Sequence, residues 1–202
     1  ETATKRLAEV ICQGANHNMH TSFMAVRFGN VLGSSGSVIP IFQEQIKSGG
    51  PITITDPKMT RFMMTLDNAV ELVLYAFKNG KQGEMFVQKS PAATVSVLAQ
   101  ALLELYDSKS SIQEIGIRHG EKKYETLVTS EEMLKAVDLG NYYSIASDNR
   151  DLNYDPYFSE GNKNEVHSGK YTSDNTVRLD VGKMKDLLMQ LPEIKNDPLI
   201  KL

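Results

Sequence analysis

The segment Thr21 to Phe28, TSFMAVRF, is rich in apolar residues on both faces. A strand of that kind needs cover on both sides, as inside a parallel sheet flanked by helices. Its neighbours alternate in type. Ala3, Leu7, Val10 and Ile11 fall on one helical face before Gly14. After the strand comes a loop rich in glycine and serine, Gly29 to Ser37, then a predicted helix from Val38 to Lys47, stopped by Gly49 and Gly50. Pro51 to Thr55 reads as a short strand. Thr65 or Asp67 can cap the next helix, whose apolar stripe is Leu66, Val70, Val73, Leu74 and Phe77. Glu84 to Gln88 is a further strand. Thr94 caps a helix with Val95, Leu98, Leu102 and Leu105 on one face, and Ile112, Ile115 and Ile117 suggest another strand. This order of elements predicts an α/β protein.

The character changes after about Gly140. Residues 141–175 are polar, with many Asp, Asn, Tyr and Ser and little periodicity, and read as a long, partly ordered excursion. A last amphipathic helix is predicted from Val181 to Leu191, with Met184, Leu187, Leu188 and Leu191 inward. No internal repeat and no low-complexity tract is present. The chain has 202 residues, 41% apolar and 23% charged, which fits an ordinary globular protein with a real core. A formal net charge of -3 gives no basic footprint for nucleic acid and no polybasic membrane patch. No apolar run is long enough to span a membrane. The single cysteine, Cys12, cannot form an intramolecular disulfide, which points to a reducing, cytoplasmic setting. The chain opens at Glu1 inside a helical pattern and is expected to be part of a longer protein.

Three places carry candidate chemistry. The loop from Gly29 to Ser37 follows a strand and enters a helix, the position where open α/β sheets bind ligands. Its glycines let backbone N–H groups approach a ligand, Ser34, Ser35 and Ser37 add small donors, and the helix N-terminus favours an anion. Asn30 brings an amide that can donate to a phosphate or sugar oxygen. A plain flexible turn is the alternative, and the spacing is neither G-x-G-x-x-G nor a Walker loop. In the second place, MTRFMMT, Arg61 stands in an apolar run, so its charge needs a partner: a carboxylate such as Asp56, or a ligand phosphate. In the third, Arg118-His119-Gly120-Glu121, an arginine fork can match a phosphate and a carboxylate three residues on can accept from two ribose hydroxyls. A solvated charge cluster is the alternative there. His119 can serve as an acid or base, or simply as a hydrogen-bonding loop residue. His17, His20, His167 and Cys12 show no metal-ligand spacing. Glu131 and Glu132 fit the first turn of a helix capped by Thr129 or Ser130. Tyr142, Tyr143, Tyr154 and Tyr157 suit either a pocket lining or a subunit contact.

Six stretches together resemble the extended short-chain dehydrogenase/reductases that act on nucleotide sugars: RFGNVLGSSGSVIP from Arg27, ITITDPKMTRFMMTL from Ile52, GEMFVQKSP from Gly83, RHGEKKYET from Arg118, RDLNY from Arg150 and NTVRLD from Asn175. Each alone is weak. Their order along nearly the whole chain is similar to the polysaccharide-biosynthesis branch, the UDP-N-acetylglucosamine 4,6-dehydratases and C5-inverting dehydratase/epimerases. The resemblance implies the C-terminal part of an extended Rossmann-type fold: remnants of the parallel sheet plus a smaller α/β substrate-binding domain. Residues 1–35 and about 65–90 would belong to the dinucleotide-binding domain and 36–64 and 91–140 to the substrate domain. Residues 141–202 would form a tail with an oligomer clasp and terminal helix. It also implies roles at matched positions. Asn30 would contact the substrate near its phosphate or sugar, and Ser37 and Val38 would face the nucleotide. Thr53 would lie near the uracil. Arg61 and Arg118 would grip the diphosphate, and Glu121 would hold the uridine ribose. Thr4-Lys5-Arg6 resembles the end of the family's catalytic helix motif, which would make Lys5 the lysine at the nicotinamide ribose. The family has Tyr or Met four places earlier, where this chain has Glu1.

The implied cofactor is NADP or NAD, held mainly by a preceding half that carries the glycine-rich loop. The implied ligand is UDP-N-acetylglucosamine or a related UDP-sugar, in a homo-oligomer, with no nucleic-acid partner. A UDP-sugar 4-epimerase on the same scaffold and a binding or assembly module without catalysis of its own are the competing expectations.

Overall fold

The computed structural model describes residues 2–15, 20–146 and 169–200. In chain order the elements are α1 (Thr2–Gly14), β1 (Ala25–Arg27), α2 (Val38–Lys47), β2 (Ile52–Ile54), β3 (Thr60–Phe62), α3 (Leu66–Asn79), β4 (Met85–Gln88), β5 (Ala92–Thr94), α4 (Val95–Leu105), β6 (Ile112–Glu114), β7 (Thr126–Val128), α5 (Ser130–Met133), β8 (Ala136–Asp138), β9 (Tyr142–Ile145), β10 (Tyr171–Thr172), α6 (Val181–Leu188) and α7 (Pro192–Lys195). The α/β class expected from the alternation is the class observed. The chain divides into two units. The first comprises Glu1–Arg27, Glu71–Lys89 and Leu127–Tyr171, and the second Phe28–Val70, Ser90–Thr126 and Thr172–Leu202. The polar segment after Gly140 is thus shared between units, and RDLNY, Tyr154, Tyr157, His17 and His167 lie outside the described residues.

The first unit is built on a four-stranded sheet ordered β1-β4-β9-β8. β4 runs parallel to β1, with Val26 opposite Phe86, and antiparallel to β9, with Phe86 opposite Ser144. Its residues Met85, Phe86 and Val87 are at most 1% exposed, the burial expected of an apolar run paired on both sides. Leu72 and Ala76 of α3 pack on Phe86, and Tyr75 meets Phe86 edge-on at 5.6 Å between ring centroids. β1 is only half-buried and shorter than the expected Thr21–Phe28 strand, because it is the edge of this sheet with β4 as its neighbour.

Two apolar stripes read from periodicity are exposed. On α3, Leu66, Val70, Leu74 and Phe77 are exposed, and the buried face is Ala69, Leu72 and Ala76. On α1, Leu7, Val10 and Ile11 are likewise exposed. Periodicity finds the bulkier apolar face of a helix, but the sheet has taken the face of α3 with the smaller side chains.

An ion cluster ties three elements of this unit together. Arg27 at the end of β1 donates from Nε to Glu9 Oε1 at 2.7 Å and from Nη2 to Glu9 Oε2 at 2.6 Å. It also donates to both oxygens of Glu132 at 2.9 Å and to the Leu127 carbonyl. Arg6, one turn before Glu9 on α1, reaches both carboxylates at 3.0 Å. Glu132 closes the capping box of α5: Thr129 Oγ1 accepts from the Glu132 N–H, and the Thr129 N–H donates to Glu132 Oε2. Burial alone would raise the Glu132 carboxyl, but the hydrogen bonds from Arg27 and the Thr129 N–H outweigh it and hold the group at about 2. Glu9 is lowered on the same balance of burial against Arg27.

The second unit carries the larger core. Ile39, Phe42 and Ile46 of α2 meet Leu98 and Leu102 of α4, Met184 and Leu188 of α6 and Ile194 of α7. Thr94 caps α4, its hydroxyl accepting from the Val97 N–H as expected. β2 pairs parallel with β6, Thr53 opposite Gln113, and β3 pairs antiparallel with β5, Arg61 opposite Ala93. Ile115 and Ile117 run past the end of β6 and are exposed. The terminal helix is shorter than expected, ending at Leu188, and Pro192 opens the separate turn α7. Residues 177–179 return beside β5: the Ala92 N–H donates to the Val177 carbonyl and the Leu179 N–H to the Ala92 carbonyl, each at 2.8 Å.

Replacing Arg27 by Met leaves two enclosed carboxylates facing each other, a loss of about 2 kcal/mol or more. Both carboxyls are depressed in the fold, so their contribution is complete above the unfolded carboxylate range and fades as pH falls toward 2. Urea unfolding at several pH values should therefore show a wild-type advantage that is full at pH 7 and shrinks below about pH 4.5. An advantage that does not change with pH would count against an ionic origin.

Candidate functional site

Most of the residues marked out by sequence lie in the second unit, and part of them converge. Gly29 brings the chain against β3: a Cβ there would stand 2.3 Å from the Phe62 Cβ. Only glycine permits that approach, and it sets Asn30 beside the loop that carries Glu125. Facing two carboxylate oxygens, the Asn30 amide is assigned with nitrogen toward them, Nδ2 donating to Glu125 Oε2 at 2.6 Å and Oε1 at 2.9 Å. Two residues on, the Leu32 N–H donates to the Met64 carbonyl, which fixes the start of the loop.

Arg61 does find carboxylates, but not Asp56. Its Nη2 lies 3.9 Å from Glu121 and its Nε 3.7 Å from Glu125. Both distances exceed those of a tight charge-assisted bond. The short bonds of the guanidinium are local: Nη1 donates to the Thr60 carbonyl and Nη2 to Met59 Sδ, each at 2.8 Å. Thr55 Oγ1 donates to Glu121 Oε1 at 3.3 Å. The Arg118 N–H donates to Glu121 Oε2 at 3.3 Å, and the Glu121 N–H bonds the Arg118 carbonyl, closing a turn through Gly120 at φ 81°. The Arg118 and His119 side chains are exposed on that turn. Glu125 was not singled out by sequence. Its signal was available: a carboxylate four residues after Glu121 beside an apolar strand.

A buried hydroxyl supports this constellation. Ser173, with no exposed surface, accepts from the Glu125 N–H at 2.9 Å and lies 2.9 Å from Thr60 Oγ1 and 3.1 Å from the Thr60 carbonyl. The Ser173 N–H donates to the Glu125 carbonyl. Glu125 is itself raised: burial pushes it up, and Arg61, the Phe62 N–H and Asn30 pull it back only in part.

The remaining candidates are dispersed. Ser37 is the N-cap residue of α2 without a side-chain cap bond, and its buried Oγ has no hydrogen-bond partner among the described residues. Val38 is exposed. Thr53 is already engaged: the Gln45 carboxamide donates to Thr53 Oγ1 at 2.8 Å and accepts from the Thr53 N–H at 3.0 Å. Lys5 lies on α1 in the first unit. Among the described residues no cluster of His, Cys, Asp or Glu fits a metal ion, and no helix is long and apolar enough to cross a membrane. The loop at Gly33 is not a seat for the pyrophosphate of a dinucleotide. At Gly33, a positive-φ glycine of the loop, a Cβ would stand 1.7 Å from Glu193 Oε1, and that carboxylate is the wrong sign for a pyrophosphate.

The fold has measurable relatives. A structure described as that of Pen from Bacillus thuringiensis superposes over 94% of this chain and 56% of its own, with a TM-score of 0.76 and 36% identity. A dTDP-glucose 4,6-dehydratase from Streptomyces venezuelae, solved with NAD and TYD, shares the fold at 19% identity and a TM-score of 0.54, over 59% of this chain and 39% of its own. The architecture is thus that of the Rossmann-type extended short-chain dehydrogenase/reductases. Residues 2–147 match the family described as polysaccharide biosynthesis protein and residues 148–195 its C-terminal family, and the chain belongs to that family. Proteins named UDP-glucose 4-epimerase from Rickettsia typhi and Rickettsia canadensis are 55% and 52% identical over 177 and 188 residues, 88% and 93% of this chain. The chain spans about half the length of these curated relatives, 52% and 55%.

Ser173→Ala would strand the Glu125 N–H and the Thr60 hydroxyl in a dry site, at a cost of about 1–3 kcal/mol. Urea denaturation should record a lowered midpoint with an unchanged slope. A midpoint equal to wild type would show that water or a neighbour replaces the bond.

Proposed function

We propose that the second unit holds the nucleotide diphosphate of a UDP-sugar, in an enzyme that converts UDP-N-acetylglucosamine to its C5-inverted 4-keto-6-deoxy product for capsule or O-antigen synthesis. The observation that carries the binding reading is Arg61. It is a guanidinium enclosed by its own strand and held at 3.7 Å and 3.9 Å from two carboxylates, compensated but not consumed. A planar fork kept in this state can close bidentately on phosphate oxygens. Exposed Arg118 adds a second cation on the turn that also aims Glu121, whose carboxylate can accept from two ribose hydroxyls. The orphan Ser37 hydroxyl supplies a neutral donor at the helix start, and Asn30, its amide nitrogen engaged by Glu125, holds that carboxylate at the edge of the site.

These side chains bind and orient, which lowers the barrier by fixing the sugar against the reacting centre. The nicotinamide, NADP or NAD, supplies hydride acceptance and return. Lys5 is the residue of this chain proposed to meet the nicotinamide ribose, with the dinucleotide itself held by sequence beyond these residues. A cytoplasmic homo-oligomer is proposed with it.

A second reading is 4-epimerisation, favoured by the name UDP-glucose 4-epimerase carried by relatives about half identical to this chain. The two part at the product. In a protein of full family length containing this chain, NMR after incubation with UDP-N-acetylglucosamine should show a 4-keto-6-deoxy sugar for dehydration and UDP-N-acetylgalactosamine for epimerisation.

For the chain alone, UDP should raise the unfolding temperature. Arg61→Ala and Arg118→Ala should each weaken UDP binding by about 10-fold or more, the loss of one charge-assisted contact. A folded wild-type chain with no thermal shift in millimolar UDP overturns the binding reading.

A further inference from the structure

We propose that Glu125 is the proton-linked partner of Arg61, taking up one proton from solvent when an anionic ligand claims that arginine. The proposal rests on the reading of Arg61 as a diphosphate-binding group and adds how the site manages its charge. In the ligand-free chain one guanidinium faces two carboxylates, Glu121 and Glu125, so the trio carries a net negative charge. A diphosphate arriving at Arg61 adds further negative charge beside both. Charges that close in a partly dry site cannot all remain uncompensated. Either a carboxylate swings away or one becomes neutral.

Glu125 is tethered against swinging. Its oxygens accept from Asn30 Nδ2 at 2.6 Å and 2.9 Å and from the Phe62 N–H, and its backbone is pinned on both sides by Ser173. Every group that faces it counts. Arg61 and the Phe62 N–H come from β3, Asn30 from the loop after β1, Ser173 from the returning segment, and Lys122 from its own loop. Of these, Arg61 and Lys122 are cationic, and Arg61 acts more strongly. When a phosphate engages Arg61, that compensation is withdrawn, and burial already disfavours the ionised form. Protonation has a second effect. A neutral carboxyl still accepts from Asn30 through its carbonyl oxygen and gains an O–H that can donate to a phosphate oxygen. The same side chain then changes from repelling the ligand to holding it. The balance is simple: one proton enters from solvent and no bond other than O–H forms.

The experiment is calorimetry with UDP-N-acetylglucosamine, a diphosphate diester that does not itself titrate near neutrality, in buffers of different ionisation enthalpy at pH 7.5. Wild type should take up between half and one proton per ligand bound. Glu125→Gln should take up none and should bind more tightly than wild type at pH 7.5, an advantage that shrinks as pH falls. The wild-type proton count needs no variant, so a variant that fails to fold does not remove the test. Binding by wild type without proton uptake, or uptake that persists in Glu125→Gln, overturns the inference and leaves the nucleotide-sugar reading standing. A parallel arm uses sulfate, a non-titrating dianion, while carbon NMR follows the Glu125 carboxyl. If UDP-N-acetylglucosamine does not bind but sulfate raises the Glu125 midpoint, the nucleotide-sugar reading falls and the proton-linked anion site stands. If sulfate leaves the midpoint unmoved as well, both fall.

Discussion

The second unit depends on one hydroxyl that water never reaches. Ser173 joins the segment returning after 168 to β3, through Thr60, and to the loop carrying Glu125, whose N–H donates to the Ser173 hydroxyl while the Ser173 N–H donates to the Glu125 carbonyl. Three stretches far apart in sequence meet there, and a buried polar group with all its partners present specifies one arrangement of them. The positions of Arg61, Glu121, Glu125 and Asn30 follow from it. Phe62 supports one side, where Gly29 presses in, and the turn from Arg118 to Glu121 supports the other.

Two arginines, each between two carboxylates, show how distance separates anchoring from readiness. Arg27 contacts Glu9 and Glu132 at 2.6 Å to 2.9 Å, and every donor of its fork is in use. That arrangement locks α1, β1 and α5 of the first unit and leaves nothing for a ligand. Arg61 stands about 1 Å further from each of its carboxylates. The same residue types give a fixed clamp in one unit and, in the other, a fork that no carboxylate grips tightly.

Much of this was legible in sequence, for reasons that can be named. Thr94 before an apolar run, and Thr129 three places before Glu132, are local signals, and both caps form as read. An arginine in an apolar run had to find a partner, and Arg61 does. Its partners could not be named, because Glu121 and Glu125 lie about sixty residues away and Asp56 was nearer in sequence. The apolar face of α3 was misplaced because periodicity ranks faces by bulk, whereas packing on Phe86 selected Leu72 and Ala76. The engagement of Thr53 by Gln45 left no pattern, since a glutamine eight residues before a threonine has no characteristic spacing.

That pairing has a consequence for how the protein behaves in concentrated solution. The N–H of Ile52 and the carbonyl of Ile54 face β6, so the Thr53 N–H points to the opposite margin of the pair. A bare strand margin is a template on which other chains can add and grow into aggregates. Gln45 covers that margin with a side-chain amide that donates and accepts as a peptide would, but cannot propagate. Removing the amide would unmask a short apolar strand, and the first symptom would be self-association rather than unfolding.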